Sequence, residues 1–359
     1  MSSHADNSLL KDKRPSGSKK VWFTMLFVII AIVGLTYVKW WPYYFKALKA
    51  AAEHTIGSSI LTGDQAAAPA PSFQSAWDYA VDYFKSVWKA AVLGILLGSL
   101  VQVLLPAKWL LKALGKAGFK STALGGIASL PAMMCTCCAA PIAVGLRKKN
   151  VSVGAALAFW LGNPVLNPAT LIFMTFVLSW KFTLMRIGFG LILTFAVSYF
   201  AGRLAGQAPI PEQVQEAVDQ PDEPSGSFLT LWLRSVGTLL LTIVPAYLIT
   251  VLVLGAARAW MFPALGAHGM NTVLAIVIFA IAGTLFVIPT AAEIPIIGTF
   301  LSFGFGTGVA GALLITLPSI SLPSLLMVYR SFPRRVVWFV TGSVIVLGLL
   351  CGAISAVIL

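Results

Sequence analysis

Long uncharged stretches, each near the length of a bilayer crossing and separated by short knots of Lys and Arg, dictate what this chain can fold into. A helix needs about 20 predominantly apolar residues to cross roughly 30 Å of hydrocarbon. Residues 151–180, 187–202, 235–257, 306–329 and 336–359 qualify or nearly so, and the 359 residues could hold eight or nine spans. With 58% hydrophobic residues, 10% charged residues and a mean hydropathy of +0.89, no ordinary soluble surface can be assembled. The lipid bilayer is therefore the first partner. A net charge of +13 raises the alternative of nucleic acid, but the cations sit in clusters between apolar runs rather than on one soluble face, which excludes it.

Charge and composition divide the chain. Residues 1–20 form a basic tail and 21–38 an apolar segment followed by Lys39-Trp40-Trp41-Pro42, which lacks a small-residue cleavage site. An uncleaved anchor helix fits better than a removed signal peptide. Residues 39–76 are polar and rich in Ala, Pro and Ser, and read as an extracytoplasmic loop. Residues 77–206 and 227–359 are the two apolar halves, divided by an acidic linker at 207–226.

The halves are related. A shift of 154 residues pairs Thr136 with Thr290, Pro141 with Pro295, Gly154 with Gly308, Pro164 with Pro318 and Leu171 with Leu325. The shared prolines and glycines put helix breaks at equivalent points, as in a duplicated transporter. If residues 121–146 crossed the membrane completely, Lys108–Lys120 and Arg147-Lys148-Lys149 would fall on opposite sides, against the positive-inside rule. A re-entrant hairpin broken between Pro131 and Pro141 removes the conflict, and irregular backbone at that depth is tolerated where it lines a cavity. The same treatment of 269–303 leaves three spans per half, an odd number, so the second half is inverted. The expected fold is an all-α integral membrane protein: an N-terminal anchor, then two inverted repeats of about three spans and a broken hairpin each. The competing layout is eight full crossings in parallel repeats plus the anchor.

Three groups of residues can carry chemistry. In Met133-Met134-Cys135-Thr136-Cys137-Cys138-Ala139-Ala140-Pro141, three thiols fall within four residues at the expected break. Thiolates and thioethers are soft ligands. On a helix Cys135 and Cys138 share a face, whereas Cys137 points elsewhere. Isolated cysteines in apolar helices are small hydrophobes, which is how Cys351 reads; three beside two methionines favour a binding role. Glu293 is the only acid within the apolar stretches of the second half. At membrane depth it must pair or be protonated, which makes it a proton-coupling candidate, the alternative being a hydrated residue near an interface. Asn163-Pro164 and Asn167-Pro168 either form a kink or present two amides to a passing solute. An aquaporin-like reading of Asn167-Pro168-Ala169 fails for want of a second copy. No phosphate-binding Gly-x-x-x-x-Gly-Lys-Ser/Thr loop occurs, and His4, His54 and His268 are scattered, so no cofactor is implied.

With these residues in view, the chain resembles the ArsP-type predicted permease family, through Cys135-Thr136-Cys137-Cys138-Ala139-Ala140-Pro141 and the downstream Gly162-Asn163-Pro164. The likeness covers most of 88–359, with the N-terminal anchor and its loop as an addition. It implies a multi-pass protein of the bacterial cytoplasmic (inner) membrane and, from relatives that export trivalent organoarsenicals through membrane cysteines, substrate binding by Cys135, Cys137 and Cys138. The expected activity is non-enzymatic: export of a small thiol-seeking solute by alternating access, coupled to protons. Two rivals stand beside it. One is a carrier of copper or another soft cation, with Met134 joining the three cysteines as a metal ligand; the other is a membrane thiol oxidoreductase using Cys135 and Cys138. Oligomeric state is left open.

Overall fold

The computed structural model describes residues 17–63, 68–105, 110–206, 228–262 and 273–359. Most of the basic tail, the acidic linker at 207–226, Lys108, His4 and His268 lie outside the described residues. Among the described residues, seven helices are long and apolar enough to cross a membrane, the first of them N-terminal, and the chain is a multi-pass membrane protein.

Helix α1 (Gly17–Leu35) passes through a wide π-turn at Thr36–Trp40 into α2 (Trp41–Glu53). The segment read as a loop from residue 39 is thus helical to Glu53, and the connecting loop starts only at His54, whose φ of 52° ends α2. Pro42 explains both the misreading and the geometry. It has no N–H and its ring would clash with the carbonyl four residues back, so the helix widens by one residue and the Trp41 N–H reaches back to the Thr36 carbonyl.

Helix α3 (Phe73–Leu104) starts on Ser72, whose hydroxyl accepts from the Ser75 N–H at 3.0 Å. The first half continues with a π-turn at Leu111–Gly115, then α4 (Phe119–Ser129), α5 (Thr136–Lys148), α6 (Val153–Val165), α7 (Pro168–Val177) and α8 (Trp180–Leu191), which a further π-turn at Ile192–Val197 joins to α9 (Ser198–Leu204). The second half comprises α10 (Phe228–Met261), α11 (Val273–Leu285), α12 (Glu293–Ser302), α13 (Thr307–Ser319), α14 (Leu322–Val328) and α15 (Arg334–Ile358).

Shifted by 154 residues, Phe119 falls on Val273, Val153 on Thr307, Pro168 on Leu322 and Trp180 on Arg334, the first residues of α11, α13, α14 and α15. The helix after the broken loop departs most. Thr136 opens α5, but its equivalent Thr290 precedes α12 by three residues.

The equivalent helices α3 and α10 pack together and run antiparallel: Ser75 meets Arg258, Tyr83 meets Tyr247 and Ser99 meets Trp232. Their neighbour α5 approaches so closely that a Cβ on Gly94 or Gly98 would lie 2.2 Å from the Cys138 carbonyl oxygen or 2.6 Å from that of Pro141. Small residues four apart allow such backbone contact in lipid. The centre is formed by the two interrupted spans, Val153–Val177 and Thr307–Val328, 78% and 83% buried over their apolar windows against 11% for the N-terminal helix.

Candidate functional site

Two breaks in helical backbone face one another at this centre. In the first half, α4 ends in a short turn at Leu130–Ala132, and Met133 takes a left-handed φ of 49°. That conformation is uncommon for a residue with a side chain. It turns the chain so that Cys135 becomes the N-cap of α5. Asn163 fixes the turn, accepting from the Met134 N–H at 3.3 Å and donating to the Phe159 carbonyl at 2.8 Å. In the second half, residues 286–289 run without helical structure after α11, and Ala291, at φ 70°, turns the chain into α12.

The thiols do not converge as a trio. Cys135 Sγ lies 3.0 Å from Cys138 Sγ, one helical turn on, and both are free and buried. Cys137 turns to the opposite wall, 3.3 Å from the Ser321 hydroxyl, where Tyr83 and Tyr247 share a hydrogen bond. The sequence therefore provides a two-sulfur seat at the N-terminus of α5, where peptide dipoles favour negative charge. Met134 is buried and does not line the cavity at the thiols. Among the described residues no group of three His, Cys, Asp or Glu side chains could hold a metal.

Glu293, at the first turn of α12, lines the same small cavity as Cys135, together with Thr290 and Pro164. Its carboxylate accepts from Arg186 Nη2 at 2.9 Å, and both side chains are buried. Arg186 is held on every side: Nε donates to the Val165 carbonyl at 2.8 Å, Nη2 to that of Pro164 at 2.9 Å and Nη1 to that of Leu314. One guanidinium on α8 thereby links α6, α12 and α13. It also uses carbonyls at the C-terminal end of α6, where the helix dipole favours a cation.

Asn167 caps α7, its oxygen accepting from the Ala169 N–H at 3.1 Å and the Thr170 N–H at 3.4 Å, while its amide nitrogen is buried without a partner. The two Asn side chains thus serve different ends, one bracing the cysteine turn and the other capping a helix.

The N-terminal helix is the element whose part sequence reasoning missed. From its π-turn, Lys39 Nζ donates to Thr290 Oγ1 at 3.2 Å and Tyr43 Oη at 3.1 Å, and Trp40 Nε1 donates to the Pro131 carbonyl at 2.7 Å. Adjacent residues of one turn therefore hold both broken loops. Arg186 was equally hidden. The signal available for each was a lone basic residue at the edge of an apolar run, a pattern shared with ordinary topology charges.

Comparison with known proteins agrees with this architecture. The family described as a predicted permease, of ArsP type, matches residues 127–357. The UPF0718 protein YraQ of Escherichia coli (strain K12) is 50% identical over 334 residues, 93% of this chain and 95% of its own length. UPF0718 proteins MJ0584 of Methanocaldococcus jannaschii and YcgR of Bacillus subtilis (strain 168) are 22% and 26% identical, over 63% and 71% of this chain and 79% and 88% of their own. No solved structure matches. The family match spans well over half of the chain, including both broken hairpins, and the chain belongs to the ArsP-type predicted permease family.

Proposed function

We propose that this permease exports a small thiol-seeking solute, a trivalent organoarsenical being the best fit, across the bacterial cytoplasmic membrane. The observation that carries the reading is the Cys135–Cys138 sulfur pair, 3.0 Å apart, of which Cys135 lines a cavity that Glu293 also lines. A methylarsenite, CH3As(OH)2, would lose one hydroxyl to each thiol, forming two As–S bonds and releasing two waters; hydrolysis reverses the step and frees the solute. A two-thiol seat suits this exchange better than it suits a copper carrier that recruits Cys137 as well, since the Cys137 sulfur turns to the Ser321 hydroxyl while those of Cys135 and Cys138 face one another.

Movement is proposed to follow alternating access by inverted repeats. Equivalent helices related by an axis along the membrane normal would run parallel, whereas α3 and α10 run antiparallel, as an axis in the membrane plane requires. Glu293 is assigned the coupling proton. Its protonation would cancel the ion pair and release Arg186, loosening the tie between α8, α12 and α13.

Uptake of methylarsenite, arsenite and Cu(I) into everted vesicles tests the assignment. Cys138→Ser is expected to abolish methylarsenite uptake, and Glu293→Gln to remove its dependence on a proton gradient. Equal movement of each compound by all three proteins would overturn it. A second reading, thiol oxidoreductase, draws on the same contact, because Cys135-Thr136-Cys137-Cys138 sets a Cys-x-x-Cys pair on a helix N-terminus. It requires a partner dithiol trapped as a mixed disulfide by Cys138→Ser, which the transport reading does not.

A further inference from the structure

Beside the thiol pair lies a second, larger cavity of about 780 Å³, walled by α2, the 56–63 loop, α3, α10 and the broken loop before α12. Pro289, Thr290 and Ala291 line both cavities, so one opens toward the other across a thin wall. We infer that this larger cavity is an anion-binding antechamber, and that the transported solute carries an acidic group, a carboxylate, sulfonate or phosphate, in addition to its thiol-seeking centre. The inference rests on the permease reading and specifies its substrate class.

Among the described residues three cations line the cavity, Lys39, Lys46 and Arg258, against one carboxylate, the exposed Asp82. Two of the three are almost inaccessible: Lys39 is 4% exposed and Arg258 6%. A buried charge is expensive without a counter-ion, and Lys39 hydrogen-bonds only to the neutral hydroxyls of Tyr43 and Thr290, with the Cys135 and Cys138 thiols within electrostatic range. Arg258 gives Nη2 to the Ser75 hydroxyl at 3.1 Å and stands over the Tyr79 ring at 5.4 Å, while its Nε, also buried, has no partner. Asp78 and Asp82 on α3 lie within electrostatic range of Arg258 without forming an ion pair with it. Glu293 is engaged by Arg186. The nearby Lys46 ammonium lies over the Phe173 ring at 5.9 Å and within electrostatic range of Glu293, with which it forms no ion pair.

Chemistry and size then point the same way. A planar guanidinium with an unused N–H, joined by two ammonium groups, recognises an oxyanion through charge-assisted hydrogen bonds. A cavity of about 780 Å³ is of the size that holds an organic molecule of tens of atoms, far more than arsenite needs. Lys39 stands at the boundary of the two sites, touching Thr290, so a solute held at Cys135 can place its acidic group among these cations on its way out.

The test is equilibrium binding to the purified full-length chain of phenylarsenite and 4-carboxyphenylarsenite, which differ by one carboxylate. The carboxylated probe is expected to bind wild type at least 10-fold more tightly. Arg258→Gln and Lys46→Gln should bring that ratio toward one, and Arg258→Lys, which keeps the charge, should restore much of it; gel filtration checks that each variant is folded. Inorganic sulfate should compete with the carboxylated probe alone. A ratio of one in wild type overturns the inference, and so does a ratio erased by phosphatidylglycerol but not by sulfate, which would give the cations to a lipid headgroup. Cys138→Ser separates the two readings: if it binds both probes as wild type does, the thiol seat is wrong whatever the charge ratio, whereas loss of both probes with a ratio of one leaves the thiol seat standing alone.

Discussion

A single missing partner at the Arg186–Glu293 pair should be costly, because each side chain would leave the other charged and buried. Arg186→Gln is expected to destabilise the protein by about 3–5 kcal/mol, and Glu293→Gln by a similar amount. The double variant should lose less than the sum of the two, as a direct coupling requires; thermal unfolding in detergent reads all three. Glu293 was legible in the sequence as a lone acid in an apolar run. Its partner was not, because Arg186 follows Lys181 at the edge of a span and resembles a residue placed for topology. The cysteines were legible as a soft site, but their division into a pair and an outlier depends on Met133 at φ 49°, a backbone turn with no glycine to announce it.

For the helices, the sharpest expectation concerns α3. Gly98→Val places a side chain 2.6 Å from the Pro141 carbonyl oxygen, and overpacking of this kind costs about 1–3 kcal/mol. Gly188 on α8 has open space around its Cβ position, and Gly188→Ala should be neutral or stabilise by up to about 1 kcal/mol. The N-terminal helix carries a different expectation. Lys39→Met and Trp40→Phe each remove one tie to a broken loop, and both should lower transport while leaving expression and membrane insertion intact, measured as vesicle uptake per unit of protein. A mere anchor would tolerate either change. Helix positions and breaks were readable because proline and glycine mark them at matching places in both halves. The extension of the first helix to Glu53 was not, since Pro42 ordinarily stops a helix and only the π-turn accommodates it.

At the scale of the whole molecule, the proposed re-entrant hairpins and inversion would put Lys148 and Arg334 on the same face of the membrane. Cysteines introduced at those positions should react with an impermeant maleimide only after the cytoplasmic face is opened, and one at Ser58 should react from outside. Eight full crossings would instead separate Lys148 from Lys112, and labelling of those two from opposite sides would establish that layout. The seven spans followed from composition and charge alone. That the cysteine and Glu293 loops would meet was legible too; the finer contacts between the halves, such as Cys137 with Ser321, were not, because they join residues far apart in sequence.

One small mismatch between the halves then acquires a kinetic meaning. The cysteine helix begins at Thr136, while its counterpart begins at Glu293 and leaves Thr290–Ala292 in a turn. If twin halves exchanged shapes during the proposed transport cycle, these three residues would wind up on one side as three unwound on the other. Unwinding Thr136–Cys138 would pull the two sulfurs apart. The seat would then exist in only one of the two orientations, and a dithiol-bound cargo would be shed by the turnover that carries it across.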